Sequence, residues 1–348
     1  MALASRRLGP AIDEKDQFPN VVICATNPEP WPENIRPYSF SPSIEQHHVR
    51  LKSTAFLVFH KGTLIGEQYW LGINKSSVTN SFSMAKSFVA TIAGHLCEQG
   101  LLDLNLDVGD YLPHLRDDHL PSLTVIHLLS MSSGLAWDES ATPWSDNARA
   151  YYGSDLATVI YNVRRTHAPG ELFEYRSIAT QLLAEVICAA TGKSVQDWLK
   201  DLWPLLGAEH DAHWNLDQTN GRVKAFCCLY ATARDFARLG QLYLNGGQWE
   251  EQRYFDPDFA RLCASPQPLQ DPLRNTKNDG YGLHWWLGEY LDRQFYYARG
   301  IRGQYIICIP SLELVTVRLG HKRMRVDHSG HPPDLWVWLA AALDHASL

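Results

Sequence analysis

The chain lacks the features that mark several large classes of protein. No run of about 18 apolar residues occurs, so no segment is expected to span a membrane. The opening MALASRRLGPAIDEKDQ has no apolar stretch of the signal-peptide kind, and a cytoplasmic protein is expected. Lys and Arg never run beyond two in a row, and the net charge is −7. That leaves no concentrated positive field for nucleic acid or an anionic membrane. There is no internal repeat, no flexible linker and no compositionally biased tract. The G-x-S-x-G nucleophile elbow is absent, so an α/β-hydrolase reading has no support. Cysteine is sparse: seven residues from Cys24 to Cys308, an odd number without framework spacing. Most lie in apolar runs, Cys188 and Cys308 among them, and are expected to be reduced, buried thiols. Cys227 and Cys228 are adjacent, and neighbours rarely bridge because the geometry is strained.

What is present is ordinary globular material, 348 residues with 45% hydrophobic and 20% charged, enough to bury a sizeable core. The first fifty residues are rich in Pro and Asn and read as an irregular arm. Ala55 to His60 and Thr63 to Trp70 are β-rich and joined through Lys61-Gly62, a hairpin signal. Met84, Phe88, Val89, Ile92, Ala93, Leu96 and Cys97 recur at helical spacing, and Gly100 is placed to end that helix. From Leu101 to about Trp214 the pattern is mostly helical. Strand signals return at Phe295 to Ala298, Tyr305 to Ile309 and Leu312 to Leu319, and an apolar helix from Leu335 to Leu343 closes the chain. With β elements at both ends, the expected fold class is α+β, an α/β sandwich. One antiparallel sheet would be built from the N- and C-terminal segments and flanked by helices, with a helical domain inserted. The expected divisions are 1–82 (arm and first strands), 83–220 (first long helix and helical insertion) and 221–348 (the rest of the α/β domain).

The chemistry centres on Ser81-Phe82-Ser83-Met84-Ala85-Lys86. Ser83 falls at a helix start and Lys86 one turn along on the same face. A serine hydroxyl needs a base, and a lysine serves when its surroundings lower its pKa. The helix N-terminus adds free N–H groups and a positive dipole that favour an oxyanion. S-x-x-K alone is a weak signal, since an N-cap serine and a solvated lysine give the same text. Two later segments add to it. Phe173-Glu174-Tyr175-Arg176-Ser177 precedes a helix, and Tyr175 can shuttle protons. Ala298-Arg299-Gly300-Ile301-Arg302-Gly303-Gln304 lies between two strands. There Gly300 permits close approach, and the Ile301 N–H could pair with that of Ser83 as an oxyanion hole.

These three segments resemble the three motifs of the penicillin-recognising serine hydrolases. That family holds class C β-lactamases, DD-peptidases, related carboxylesterases and the 6-aminohexanoate-oligomer (nylon oligomer) hydrolases. The likeness extends to Gly100–Pro113 (GLLDLNLDVGDYLP), Leu128–Gly134 (LLSMSSG) and Ala231–Gly240 (ATARDFARLG), all in family order. The resemblance implies Ser83 as acylated nucleophile, Lys86 as its base and Tyr175 as the tyrosine of the Y-x-N element. Gly300 matches the end of the K-T-G triplet, and Ile301 supplies the second oxyanion N–H. Asp235 matches a family position and is read as a helix N-terminal acid with a structural role.

Departures narrow the substrate. The third Y-x-N position is Ser177, and Ala298 replaces the lysine that holds the carboxylate of a β-lactam. Arg299 or Arg302 could substitute, although strand alternation lets only one face the cleft. The pattern resembles the carboxylesterase and nylon-oligomer hydrolase branch. A small-molecule ester or linear amide is therefore the expected substrate, with no cofactor, no metal, and a monomer or homodimer. β-Lactamase or D-amino-acid peptidase activity is the enzymatic alternative, and a silent scaffold the non-enzymatic one. Ser177, Gly300, Arg302, Trp137, Trp144 and Trp286 are the expected substrate-pocket residues, with only one of Trp285 and Trp286 facing the site. His210-Asp211-Ala212-His213 is read as a solvated loop rather than a metal site.

Overall fold

The computed structural model describes residues 10–117 and 119–347; the start of the opening segment read above as leaderless lies outside them. Six strands form one antiparallel sheet in the order Trp286–Tyr290, Arg293–Gly300, Gln304–Ile309, Leu314–Gly320, Ser53–His60, Thr63–Tyr69. The two ends of the chain meet in its middle, where Leu314–Gly320 pairs with Ser53–His60 through Val317↔Leu57 and its neighbours. Ser53–His60 and Thr63–Tyr69 form the expected hairpin. Lys61 and Gly62 both take positive φ, 51° and 72°, the turn whose twist suits a two-residue loop.

The central strands are buried on both faces, and side-chain alternation divides them between two cores. Ala55, Leu57, Phe59, Ile306 and Val317 enter one core. Phe56, Val58, Tyr305, Ile307 and Leu314 enter the other. The second core is closed by helix Asp334–Ala346 through Leu335, Trp338 and Leu339. Against the first face packs helix Ala233–Leu244. A Cβ on Gly240 would come within 3.0 Å of Val315, Cys308 and Ile306, so glycine lets this helix lie close to the sheet. Helix Ala85–Glu98 runs through the same core with nearly every residue buried, and Gly100, at φ 68°, ends it. The regular elements of the intervening chain are helices as far as the strand Ala212–Asn215, but they cover less than half of its residues and irregular chain the rest, against the mostly helical stretch expected; the longest helices are Ser177–Thr191 and Val195–Leu205. The fold is α+β.

The structure corrects three further expectations. A second, four-stranded sheet joins Asn20–Ile23, Ala212–Asn215, Leu229–Ala231 and Thr79–Asn80. Its strands have two to four residues, too short for a periodicity to register, and one lies in the arm expected to be irregular. His213 therefore lies in a strand rather than a loop, its ring 3.2 Å from Asn20 Oδ1. No group of residues able to hold a metal occurs among the described residues. The cysteines also depart from reduced, buried thiols: Cys227 and Cys228 are joined, at a bend where Cys228 takes φ 67°, and Cys188 is exposed on the outer side of its helix. Among the described residues no helix is long and apolar enough to cross a membrane.

Candidate active site

Thr79–Asn80 leads from the small sheet into a single 3₁₀ turn, Phe82–Met84, that runs on into helix Ala85–Glu98. The entry is sharp. Phe82 sits at φ 45°, a region that costs a bulky residue about 1–3 kcal/mol unless its surroundings enforce it. Asn80 enforces it: its Oδ1 accepts the Phe82 N–H at 2.8 Å, and its amide donates to the Tyr230 hydroxyl at 3.0 Å. The Ser81 N–H is taken by Leu229 O at 2.8 Å. Ser83 thus stands in the first turn of a helix, where amide groups have no intrahelical acceptor.

Lys86 is 1% exposed. Its Nζ donates to Ser83 Oγ at 3.1 Å and to Phe226 O at 2.8 Å, so the ammonium is aimed at the serine by a main-chain carbonyl 140 residues away. No carboxylate lies within ion-pair distance of it among the described residues. Buried His284 lies near enough to feel the charge. Burial first, and then Lys86, push its pKa down to about 3. Its Nδ1 donates to Leu129 O at 2.8 Å, which leaves Nε2 to accept from the Thr180 hydroxyl at 2.9 Å. His284 is a neutral brace.

The strand Arg293–Gly300 ends against this turn. A Cβ on Gly300 would lie 2.2 Å from Ser81 O, so only glycine fits. Ile301 stands just past the last ladder pair, Gly300↔Gln304, and no strand partner takes its N–H. Tyr175 is half-buried. Its ring centre is 5.1 Å from Lys86 Nζ, and it stacks on Trp286 at 5.3 Å with an interplanar angle of 29°. Tyr175 also lines a cavity of about 610 Å³ with Trp286, Arg299, Glu139, Phe173 and His331. Ser83 and Lys86 do not line that cavity; Tyr175 lines it and lies next to Lys86.

The expected pocket residues divide. Trp286 faces the cavity while Trp285 is fully buried between Tyr243 and Tyr296, the alternation anticipated for the pair. Arg302 does not line the cavity. It belongs to the turn after the strand, at φ 63°, and reaches His321 O at 3.4 Å. Arg299, on the strand itself, faces the cavity instead. Trp137 is buried beside a separate cavity of about 300 Å³, and Trp144 is 87% exposed, away from both. Ser177 is buried and already engaged: its N–H and Oγ donate to the two oxygens of Glu139 at 2.7 and 2.6 Å. Sequence reasoning missed Glu139, 38 residues away, and Asn80. Only the Asn-x-x-Ser spacing before the helix signalled the latter.

A family model described as Beta-lactamase matches residues 42–333. The 6-aminohexanoate-dimer hydrolase of Paenarthrobacter ureafaciens is 28% identical over 301 residues, covering 80% of this chain and 75% of that protein. Among solved structures, a candidate 6-aminohexanoate-dimer hydrolase from Bacillus anthracis superimposes with a TM-score of 0.80 at 20% identity, over 97% of this chain and 94% of that one. A family VIII carboxylesterase does so with a TM-score of 0.67 at 16% identity, over 88% and 98%. At such identities the structural likeness speaks for the fold.

Proposed function

The chain belongs to the beta-lactamase family of serine hydrolases, and from that premise we propose that it hydrolyses carboxylic esters or linear amides through an acyl-enzyme on Ser83. The observation that carries the reading is the 3.1 Å contact between Lys86 Nζ and Ser83 Oγ at a helix start, with the Tyr175 ring centre 5.1 Å from the same Nζ.

For the attack the Lys86–Tyr175 pair must hold one proton fewer than ammonium plus phenol; Ser83 Oγ then adds to the carbonyl carbon and its proton passes to the pair. The N–H groups of Ser83 and Ile301 stabilise the oxyanion of the tetrahedral intermediate. Tyr175 gives a proton to the departing alcohol or amine. Water then attacks the acyl carbon, and Ser83 leaves with a proton returned through the same pair. The cavity beyond Tyr175 receives a non-reacting part of the substrate. Ala298 offers no cation for the carboxylate of a β-lactam, and the relative named for a linear amide points the same way.

Ser83→Ala is expected to abolish p-nitrophenyl butyrate turnover and labelling by a fluorophosphonate probe, with the melting temperature retained. Undiminished turnover would sink the assignment. Nitrocefin turnover above ester turnover would favour the β-lactamase alternative.

A further inference from the structure

We propose that Arg299, acting through Trp286, positions Tyr175 for leaving-group protonation. This inference rests on the reading above, since it assigns a cause to the placement of a residue which that reading uses.

Among the described residues no hydrogen bond restrains the Tyr175 hydroxyl. Its ring is held by other rings and by charge. Trp286 stacks on it at 5.3 Å, Tyr281 meets it edge-on at 6.0 Å and 87°, and Lys86 Nζ stands 5.1 Å from its centre. Trp286 in turn carries the Arg299 guanidinium, whose carbon is 3.4 Å from the indole centre. The order is therefore cation, indole, phenol, cation: Arg299, Trp286, Tyr175, Lys86. Each step is an attraction between a π face and a charge or a second ring.

Strand register builds the outer half of this stack. Trp286 lies directly opposite Tyr297. Arg299 is two residues further along, on the same face and diagonal to Trp286, within reach of a long side chain. Its Nη1 is tied to Gly330 O at 3.1 Å and lies 3.5 Å from the Tyr297 hydroxyl. The other arginines of the cavity are committed to acids, Arg176 to Glu174 at 2.9 Å and Arg274 to Asp271 at 2.6 Å. Among the described residues Arg299 has no carboxylate partner. Its charge is spent on the indole. Tyr281 meets Trp286 edge-on at 4.9 Å and 82°, a ring contact that leaves the stacking on the indole to Arg299 and Tyr175. Removing the guanidinium leaves Trp286 without its cation, and Trp286 is the one ring stacked on Tyr175 among the described residues. A proton donor works only within hydrogen-bond reach of the leaving atom, so a small displacement lowers the rate.

The test compares two substrates with one acyl group. Ethyl butyrate releases an alkoxide that must be protonated, and p-nitrophenyl butyrate releases a stable phenolate. We expect Arg299→Gln to lower the ratio of kcat/KM, ethyl over p-nitrophenyl, about tenfold, which is about 1.4 kcal/mol. Arg299→Lys, which keeps a cation over the indole, should restore a third or more of the ratio. Trp286→Phe should retain more of it than Trp286→Ala. In the Trp286→Ala background, Arg299→Gln should change the ratio no further, because the path is already cut. An unchanged ratio overturns the proposal, and so does an equal loss on both substrates, the result expected if Arg299 only binds the acyl part or maintains the fold. Additive effects in the double variant also overturn it. If Arg299→Gln does not fold, the comparison of Trp286→Phe with Trp286→Ala decides alone, and equal ratios refute. A Ser83→Ala enzyme that still turns over defeats the proposed function; an inactive Ser83→Ala beside an unaffected Arg299→Gln defeats only this inference.

Discussion

Gly300→Ala adds one methyl group where the end of the Arg293–Gly300 strand meets the turn that carries Ser83. The new Cβ would lie 2.2 Å from Ser81 O, and real Cβ atoms do not come closer than 3.0 Å, so the two backbones must part by at least 0.8 Å. Neither side yields easily. Ser81 is pinned by its N–H bond to Leu229 O, and Phe82 by Asn80. Gly300 is paired in register with Gln304. The separation falls between the two N–H groups proposed to hold the oxyanion, those of Ser83 and Ile301. A misplacement of about 1 Å costs on the order of a hundredfold in rate, about 2.7 kcal/mol of transition-state stabilisation. Gly300 does not have positive φ, so alanine carries no penalty of backbone conformation there, and the effect isolates the clash. The assay is steady-state hydrolysis of p-nitrophenyl butyrate, with the melting temperature measured in parallel. The expected result is a fall in kcat of about a hundredfold with a smaller change in KM. A kcat within threefold of the unmodified protein would refute both the clash and the placement of the oxyanion site.

Further expectations concern stability as well as rate. Asn80→Ala leaves the buried Phe82 N–H without an acceptor, which should cost about 1–3 kcal/mol in urea unfolding and lower kcat, because the turn before Ser83 relaxes. A stability loss with kcat untouched would show that the turn does not depend on Asn80. Acid should destabilise the protein through its buried histidines. His48 and His284 are held at about 3 and His331 at about 4, chiefly by burial, against about 6.5 in the unfolded chain. Each folded pKa is lowered, so the unfolded chain binds more protons below pH 6.5. Stability then falls as pH drops from 6.5 toward 4, by up to about 1.4 kcal/mol per pH unit for each histidine. Urea midpoints that stay level between pH 6.5 and 4.5 would contradict this.

The legible parts of the site are those made by short-range geometry. Ser83 and Lys86 meet because they are three residues apart on a helix, and helical spacing was visible in the apolar residues that follow them. The hairpin at Lys61-Gly62 follows from turn residues set between two β-rich runs, and successive side chains point apart at the start of the strand, so Trp286 faces the cavity and Trp285 does not. Other features had no local signal. Arg302 was favoured as a pocket residue, but the chain leaves the strand at Gly300, and alternation does not carry through a turn. Ser177 was expected in the pocket; the Glu139 carboxylate comes from a loop 38 residues earlier and engages it. Trp144 carries the same side chain as Trp286, and only the fold leaves one in water and puts the other over Tyr175.

By itself, then, the amino-acid sequence determined the local elements, their order and the S-x-x-K pair, because helix and strand periodicities act over a few residues. The joining of the two ends of the chain into one sheet was implied by matching β patterns, and register completed it. What only tertiary structure decided are the contacts that aim the chemistry: Phe226 O on the Lys86 ammonium, Ser81 O against Gly300, Trp286 on Tyr175. Each joins residues more than a hundred positions apart. Such contacts arise from the packing of whole elements around shared cores, and no stretch of sequence contains both partners.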